Sequence, residues 1–172
     1  MLSGRCLQEA TDRLMPCTTA LLEGLWKSFP SARVGMYNYE VSCLDSSCIE
    51  TGEGFLGGNY CARSADPVAC VIEQLSFWQT IYVDELQRRY HAPQFTGMNV
   101  LGACQQASGV SGASPGHPVL TGGSRCDWMV ACVHPKYGTP TATAIGDAMW
   151  SSWLENATAS DNGNYVPVVT DQ

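Results

Sequence analysis

Three stretches of the chain repeat apolar residues every three and four positions, at residues 15–29, 66–91 and 141–154. This spacing predicts helices that bury one face and expose the other. In the first stretch, Pro16 is expected in the first helical turn, where a proline is tolerated. The second stretch opens on an aspartate followed by a proline, which favours a helix start because the aspartate can cap the first turn.

Two shorter apolar runs, at residues 32–41 and 95–100, predict buried strands. Each run follows a helix after a tight turn, and this alternation predicts an α/β fold with parallel strands. The segments 42–64 and 102–124 are rich in glycine and serine and are expected to be loops. Two strands are too few for a parallel sheet that buries both faces. Further strands are therefore expected from outside this sequence or from another chain.

The length of 172 residues indicates a single domain over residues 1–172, with a polar tail at 155–172. The composition, 45% hydrophobic and 15% charged, excludes a disordered, collagen-like or coiled-coil chain. The formal net charge is -7 and no basic run occurs, so no nucleic-acid partner is expected. No apolar stretch reaches the roughly 18–20 residues that span a bilayer, so no transmembrane segment is expected.

The nine cysteines change this picture, because several are spaced as in small disulfide loops. The pairs at such distances are Cys43 with Cys48, Cys61 with Cys70, and Cys126 with Cys132. No CxxC pair occurs and the three histidines are scattered along the chain, so no metal site is expected.

Disulfides and a glycosylation sequon at Asn156 favour a secreted protein or one in the secretory-pathway lumen. The N-terminus argues against this, because charged residues such as Arg5 and Glu9 stand where a signal peptide needs an apolar segment. The two observations agree if the true N-terminus lies upstream of Met1.

The segment 126–138 is the most informative one for chemistry. In it, His134 and Pro135 are expected on a loop directly before the last helix. Such a loop lets the imidazole project while the helix fixes the backbone, which suits a general base. On these residues alone, an ordinary loop histidine that makes one backbone hydrogen bond is the simpler alternative.

The sequence VHPKYGTPTATAIGDAMWSSWL, residues 133–154, resembles the last conserved block of the SGNH (GDSL-type) hydrolases, in which a His-Pro loop runs into the final helix. Residues 20–41 are similar to a helix and the following strand of that family. Residues 77–100 are similar to its penultimate helix and strand. The match covers most of residues 17–154 and keeps the order of the family.

The resemblance implies a three-layer α/β/α sandwich with a parallel sheet, here lacking its N-terminal strands. It also implies an ester hydrolase that needs no cofactor and acts on a small-molecule, carbohydrate or lipid ester, such as an acetyl ester. In that family a serine attacks the carbonyl, a histidine takes its proton and an aspartate orients the histidine. By this resemblance His134 is the catalytic histidine.

The chain departs from the family pattern in its other catalytic blocks. Neither a Gly-Asp-Ser nucleophile block nor a Gly-x-Asn-Asp block occurs in the sequence. The chain alone is therefore expected to be inactive and to need a missing N-terminal segment or a partner chain. Ala131 stands where the family keeps its aspartate, and Lys136 stands where an asparagine commonly follows the His-Pro.

Asp127 is the candidate replacement for the missing aspartate. A disulfide between Cys126 and Cys132 would fold the loop so that the Asp127 carboxylate reaches the His134 imidazole. Without that contact, His134 would act in a Ser-His dyad or not at all. Trp128, beside the site, is a candidate to line an acyl or sugar pocket, with core packing as its alternative.

Two other functions stay open at this point. The first is a catalytically degenerate SGNH-like binding or structural subunit, which Ala131 and Lys136 would suit. The second is an unrelated, disulfide-stapled secreted domain.

Overall fold

A computed structural model of the chain describes residues 2–41, 43–45, 48–49, 61, 63–132 and 134–159. Over residues 2–7 and 156–159 it describes the backbone alone. Most of the predicted loop 42–64 and the end of the predicted polar tail lie outside these ranges.

The described elements alternate helices with short strands. In chain order they are α1 (Leu2–Ser28), β1 (Val34–Tyr37), α2 (Pro67–Trp78), a π-helical turn (Gln79–Val83), α3 (Asp84–Arg89), β2 (Phe95–Met98), α4 (Ala103–Ala107), a 3-10 turn (Cys126–Trp128), β3 (Met129–Val130), β4 (His134–Pro135) and α5 (Pro140–Ala159). Each predicted helix and strand is present. Helix α4, within the predicted loop 102–124, is an addition, and so is the pair β3 and β4, which holds His134 and Pro135 in a short strand where a loop was expected. None of the described helices has the length and hydropathy needed to cross a bilayer.

Helix α1 is longer than predicted, because it begins at Leu2 rather than near Met15. Pro16 therefore lies in the helix interior, and the expectation that it sits in the first turn is wrong. A proline in this position removes one backbone hydrogen bond. Thr11 and Met15 are both buried, so the turns around the proline pack against the rest of the protein. This packing offsets the lost hydrogen bond.

The helix predicted over residues 66–91 is confirmed as α2 and α3, which the π-helical turn joins. Asp66 caps α2 as predicted, because its Oδ1 accepts a hydrogen bond from the Ala69 N–H at 2.9 Å. In the π-helical turn, the Asp84 N–H donates to the Gln79 carbonyl, five residues back. The two flanking helices pack into different apolar clusters. Helix α2 packs with Val41 and the segment after β2, whereas α3 packs with α1 and β2.

Strands β1 and β2 pair in parallel, residue for residue over their four positions, which confirms the predicted strand direction. Helices contact both faces of this pair. A Cβ added to Gly35 would lie 3.1 Å from the Trp153 ring of α5. A Cβ added to Gly97, on the opposite face, would lie 3.1 Å from Val83 Cγ1 in the π-helical turn. The two glycines therefore let helices approach the sheet closely from either side.

Within the described ranges this parallel sheet has only two strands, and no three-layer sandwich is shown. The larger SGNH-like sheet remains a prediction. Among the described residues, β1 has a strand neighbour on one edge alone. Its Tyr37 side chain is half exposed.

Three disulfides staple the described part of the chain: Cys61–Cys70, Cys43–Cys126 and Cys48–Cys132. The first confirms the predicted short loop. The other two disulfides differ from the predicted pairs Cys43–Cys48 and Cys126–Cys132. Their cysteines are 83 and 84 positions apart in the sequence, and the fold brings them together. Three disulfide-bonded pairs fit an extracellular or secretory-pathway location.

The turn after β2 depends on Gly102, and replacing it with alanine tests this turn. Its φ is 92°, and an added Cβ would lie 2.4 Å from the Ser114 carbonyl oxygen. We expect Gly102→Ala to lower the free energy of unfolding by about 3 kcal/mol or more. The new methyl group would force the backbone at Ser114 to move, and alanine would also be strained at this positive φ. Urea unfolding followed by circular dichroism measures this change.

Gly109→Ala is the matched control, because Gly109 has a φ of 84° and open space around its Cβ position. It should cost only about 1 kcal/mol, from the left-handed conformation alone. Equal costs for the two variants would show that the close approach at Gly102 is not present.

Candidate functional site

The candidate site lies where the chain leaves the carboxyl ends of β1 and β2. After β1, the Asn38 side chain is buried, and its Nδ2 donates a hydrogen bond to the Leu75 carbonyl at 2.8 Å. Its Oδ1 accepts a hydrogen bond from the Tyr39 N–H, also at 2.8 Å. These bonds fix the chain where β1 ends, so the residues that follow leave the sheet in a defined direction.

Glu40 joins the two strand ends through a buried carboxylate that is 6% exposed. Its Oε1 accepts hydrogen bonds from the Val41 N–H at 2.6 Å and from the Gly102 N–H at 2.8 Å. Its Oε2 accepts one from the Ala103 N–H at 3.0 Å. The Glu40 side chain, which comes from the end of β1, therefore accepts hydrogen bonds from two backbone N–H groups at the start of α4, after β2.

Burial raises the pKa of Glu40 to about 7, because desolvation outweighs the backbone hydrogen bonds that favour its ionised form. Burial, reinforced by the Glu40 charge, also raises the pKa of the neighbouring Cys104 thiol. Cys104 Sγ donates to the Thr141 carbonyl at 3.7 Å. Cys104 is thus held as a neutral thiol, which is a poor nucleophile.

His134 lies on a short antiparallel hairpin formed by β3 and β4. Val130 lies directly opposite His134 in this pair, and Met129 lies opposite Pro135. At the tip, Ala131 and Cys132 have φ values of 48° and 67°, in the left-handed region that non-glycine residues rarely adopt. A hairpin with this tip depends on its surroundings to stay closed.

Two disulfides hold this hairpin in place. Cys43–Cys126 and Cys48–Cys132 bond both ends of the 126–132 segment to the chain after β1. The Cys43 N–H also donates to the Cys132 carbonyl at 3.0 Å. As a result, the His134 ring lies 6.5 Å from the Tyr39 ring, measured between centroids. The His134 side chain is exposed at this position.

No hydrogen bond joins the Asp127 carboxylate to the His134 imidazole in the structure. Its carboxylate accepts two hydrogen bonds from the Arg125 guanidinium, at 3.0 and 2.7 Å, and this partner lowers the pKa of Asp127. The Cys126–Cys132 disulfide that would have turned Asp127 toward the imidazole is absent, because both cysteines bond to the segment after β1. A catalytic role for Asp127 stays a prediction that needs its Arg125 pair to open.

Trp128 is half-buried, and the Arg125 guanidinium lies over its ring at 4.5 Å from the centroid. Trp128 therefore supports the Arg125–Asp127 pair, while its predicted role in a substrate pocket stays untested. Tyr39 and Glu40 were not identified as site residues from the sequence. The available signal was an aromatic and an acidic residue in the last positions of the apolar run 32–41, near the carboxyl end of a predicted parallel strand, where active-site residues are found.

One group of described side chains has ligand atoms close enough for a metal ion, namely Cys43, Asp45, Cys48 and Cys126, within 4.8 Å of one another. All three cysteines are in disulfides, so they offer no thiolate in this form.

Comparison of the chain with known protein families, curated proteins and solved structures finds no match. The resemblance to the SGNH hydrolases therefore rests on the sequence motifs.

The buried Glu40 carboxyl predicts a pH-dependent stability. Its pKa is about 7 in the folded protein against 4.5 for the exposed group, so folding favours the protonated form. Its contribution is complete below about pH 4.5 and is lost as the pH rises through about 7, a difference of about 3 kcal/mol. We expect Glu40→Gln to remove this slope, measured as urea unfolding at pH 5 and pH 8.

Glu73→Gln is the matched control, because Glu73 is an exposed carboxylate on α2. It should keep the wild-type difference between the two pH values. If Glu40→Gln keeps that difference as well, the carboxyl of Glu40 is not the group responsible.

Proposed function

We propose that this chain is the histidine-bearing part of an SGNH-like ester hydrolase, with His134 as general base. In this proposal the nucleophilic serine comes from outside these 172 residues, in a preceding segment or a partner chain. The substrate is a carboxylic ester of a small alcohol, a carbohydrate or a lipid.

The observation that carries the proposal is the position of His134. Its exposed imidazole lies beside Tyr39, at the carboxyl end of the parallel strand pair. Open α/β sheets bind ligands in the crevice outside this end of their strands. His134 lies on a hairpin that two disulfides bond to the chain after β1, and it comes close before α5 as in the family pattern, which supports the proposal.

The proposed chemistry uses the neutral imidazole. It accepts the serine hydroxyl proton as the serine oxygen attacks the ester carbonyl, and it then donates that proton to the departing alcohol. Water hydrolyses the acyl-serine in the same way. Since no described carboxylate hydrogen bonds to His134, this arrangement is a Ser-His dyad unless Asp127 leaves Arg125.

A second candidate function is a non-catalytic SGNH-like binding subunit. The engagement of Asp127 by Arg125 and the alanine at position 131 favour it, because together they leave the imidazole without an orienting carboxylate from the described residues. Both candidates share the fold and differ in whether a serine is activated.

The test uses the native protein, isolated from its source without reductant, together with any chain that copurifies. We expect a fluorophosphonate probe to label a serine in this preparation. His134→Ala, expressed in the same source, should lower both labelling and p-nitrophenyl acetate hydrolysis by about 10²–10⁴-fold, the usual contribution of a general base.

His117→Ala is the control, because His117 is also exposed and is also followed by a proline. The His117 backbone exchanges two hydrogen bonds with Ser114, and these do not involve the imidazole, so the truncated variant should behave as the native protein. A native preparation that the probe does not label would support the non-catalytic subunit. Labelling that survives in His134→Ala would exclude His134 as the base.

A further inference from the structure

Four cysteine sulfurs meet beside the His134 hairpin, and we call Cys43, Cys48, Cys126 and Cys132 the four-sulfur cluster. Its two disulfides are Cys43–Cys126 and Cys48–Cys132. They are in contact with each other, because the Sγ atoms of Cys43 and Cys48 are 3.1 Å apart. Cys126 Sγ also lies within 4.8 Å of Cys48 Sγ.

The members of the cluster differ in their access to solvent. Cys43 and Cys48 are buried, at 1% and 7% exposure, whereas Cys126 is an exposed residue. A thiolate from solution therefore reaches Cys126 before the two buried sulfurs. Attack on Cys126 Sγ makes the buried Cys43 the leaving group, next to the second disulfide.

We propose that the four-sulfur cluster is a thiol-exchange site, at which an external thiol bonds to Cys126 and switches the pairing to Cys43–Cys48 and Cys126–Cys132. The external thiol acts as a catalyst and is a small thiol such as glutathione or the thiol of a redox protein. The proposal does not depend on whether His134 is catalytic.

The exchange balances in three steps. The external thiolate attacks Cys126 Sγ, forms a mixed disulfide and releases the Cys43 thiolate. That thiolate attacks Cys48 Sγ, 3.1 Å away, and releases the Cys132 thiolate. The Cys132 thiolate attacks Cys126 Sγ and expels the external thiolate, so that no net oxidation or reduction occurs.

The two pairings differ in what they hold together. In the observed pairing, both bonds cross from the segment after β1 to the 126–132 segment, which carries the His134 hairpin. In the exchanged pairing each bond closes a short loop within one segment. The hairpin then keeps only non-covalent contacts, such as the hydrogen bond from the Cys43 N–H to the Cys132 carbonyl. An external thiol would thus release the hairpin without reducing the protein.

The first experiment maps the disulfides of the purified full chain, with Cys6 and Cys17 replaced by serine. This background removes the exposed thiol of Cys17 as a competing nucleophile. Replacing Cys6 as well leaves Cys104, which is buried, as the remaining cysteine outside the three disulfides. The protein is incubated at pH 8 with a small amount of reduced glutathione, quenched with N-ethylmaleimide, digested and analysed by mass spectrometry.

We expect peptides joined by Cys43–Cys48 and by Cys126–Cys132 to appear over time, with glutathione trapped on Cys126 at early times. Cys61–Cys70, which is outside the cluster, should stay unchanged. Retention of the original pairs alone, or the appearance of four free thiols without new pairs, would overturn the proposal.

A second experiment needs no added thiol. Cys126→Ser leaves Cys43 as a free thiol beside the Cys48–Cys132 disulfide, so we expect Cys43 to displace Cys132. The maleimide label should then be on Cys132, with Cys43 bonded to Cys48. If the label is on Cys43 instead, the attack across the 3.1 Å contact does not take place.

Cys70→Ser is the matched control, because it also frees one cysteine from a disulfide, but outside the cluster. The label should remain on Cys61 and both cluster disulfides should keep their pairing. Exchange in this variant as well would indicate general scrambling rather than a built site, and would also contradict the proposal.

Discussion

The covalent clamp between the chain after β1 and the 126–132 segment is the constraint on which the candidate site depends. Its two bonds span 83 and 84 positions of sequence. By loop-closure entropy, one bond of that span stabilises the folded state by about 4–5 kcal/mol. Once this first disulfide is present, the second disulfide closes only a small ring, so it stabilises the folded state by a further amount of about 3 kcal/mol or less. Much of the effect of the second bond is local, because it fixes the orientation of the hairpin tip.

Glu40 complements the clamp on the other side of the site. The disulfides hold the hairpin to the end of β1, and the Glu40 carboxylate holds the end of β1 to the turn after β2. Both links are needed because the parallel pair is only four residues long. A buried carboxylate with no cation partner among the described residues is costly to ionise, so the folded state is more stable when Glu40 is protonated, although the backbone hydrogen bonds themselves favour the ionised form.

The helices over residues 66–91 and 141–154 could be predicted from the sequence, because a helix that buries one face has apolar residues at regular intervals. The cysteine pairing could not, since spacing favours short loops whereas the observed partners are set by tertiary proximity. The first turns of α1 were missed although Leu2, Cys6, Ala10 and Leu14 recur every four positions, because Pro16 favours a helix start at that point. His134 was predicted from its motif and its role stays a prediction, whereas Glu40 makes a long-range contact that the local sequence does not predict.

The π-helical turn at Gln79–Val83 has a consequence for how this helix can vary in length. Its wider hydrogen-bonded ring holds one more residue than an α-helical turn, at the boundary between the core of α2 and the core of α3. An insertion or deletion of one residue here can be absorbed by changing the winding of this turn. Homologous chains can therefore differ in length at this point while the partners on either side keep their contacts.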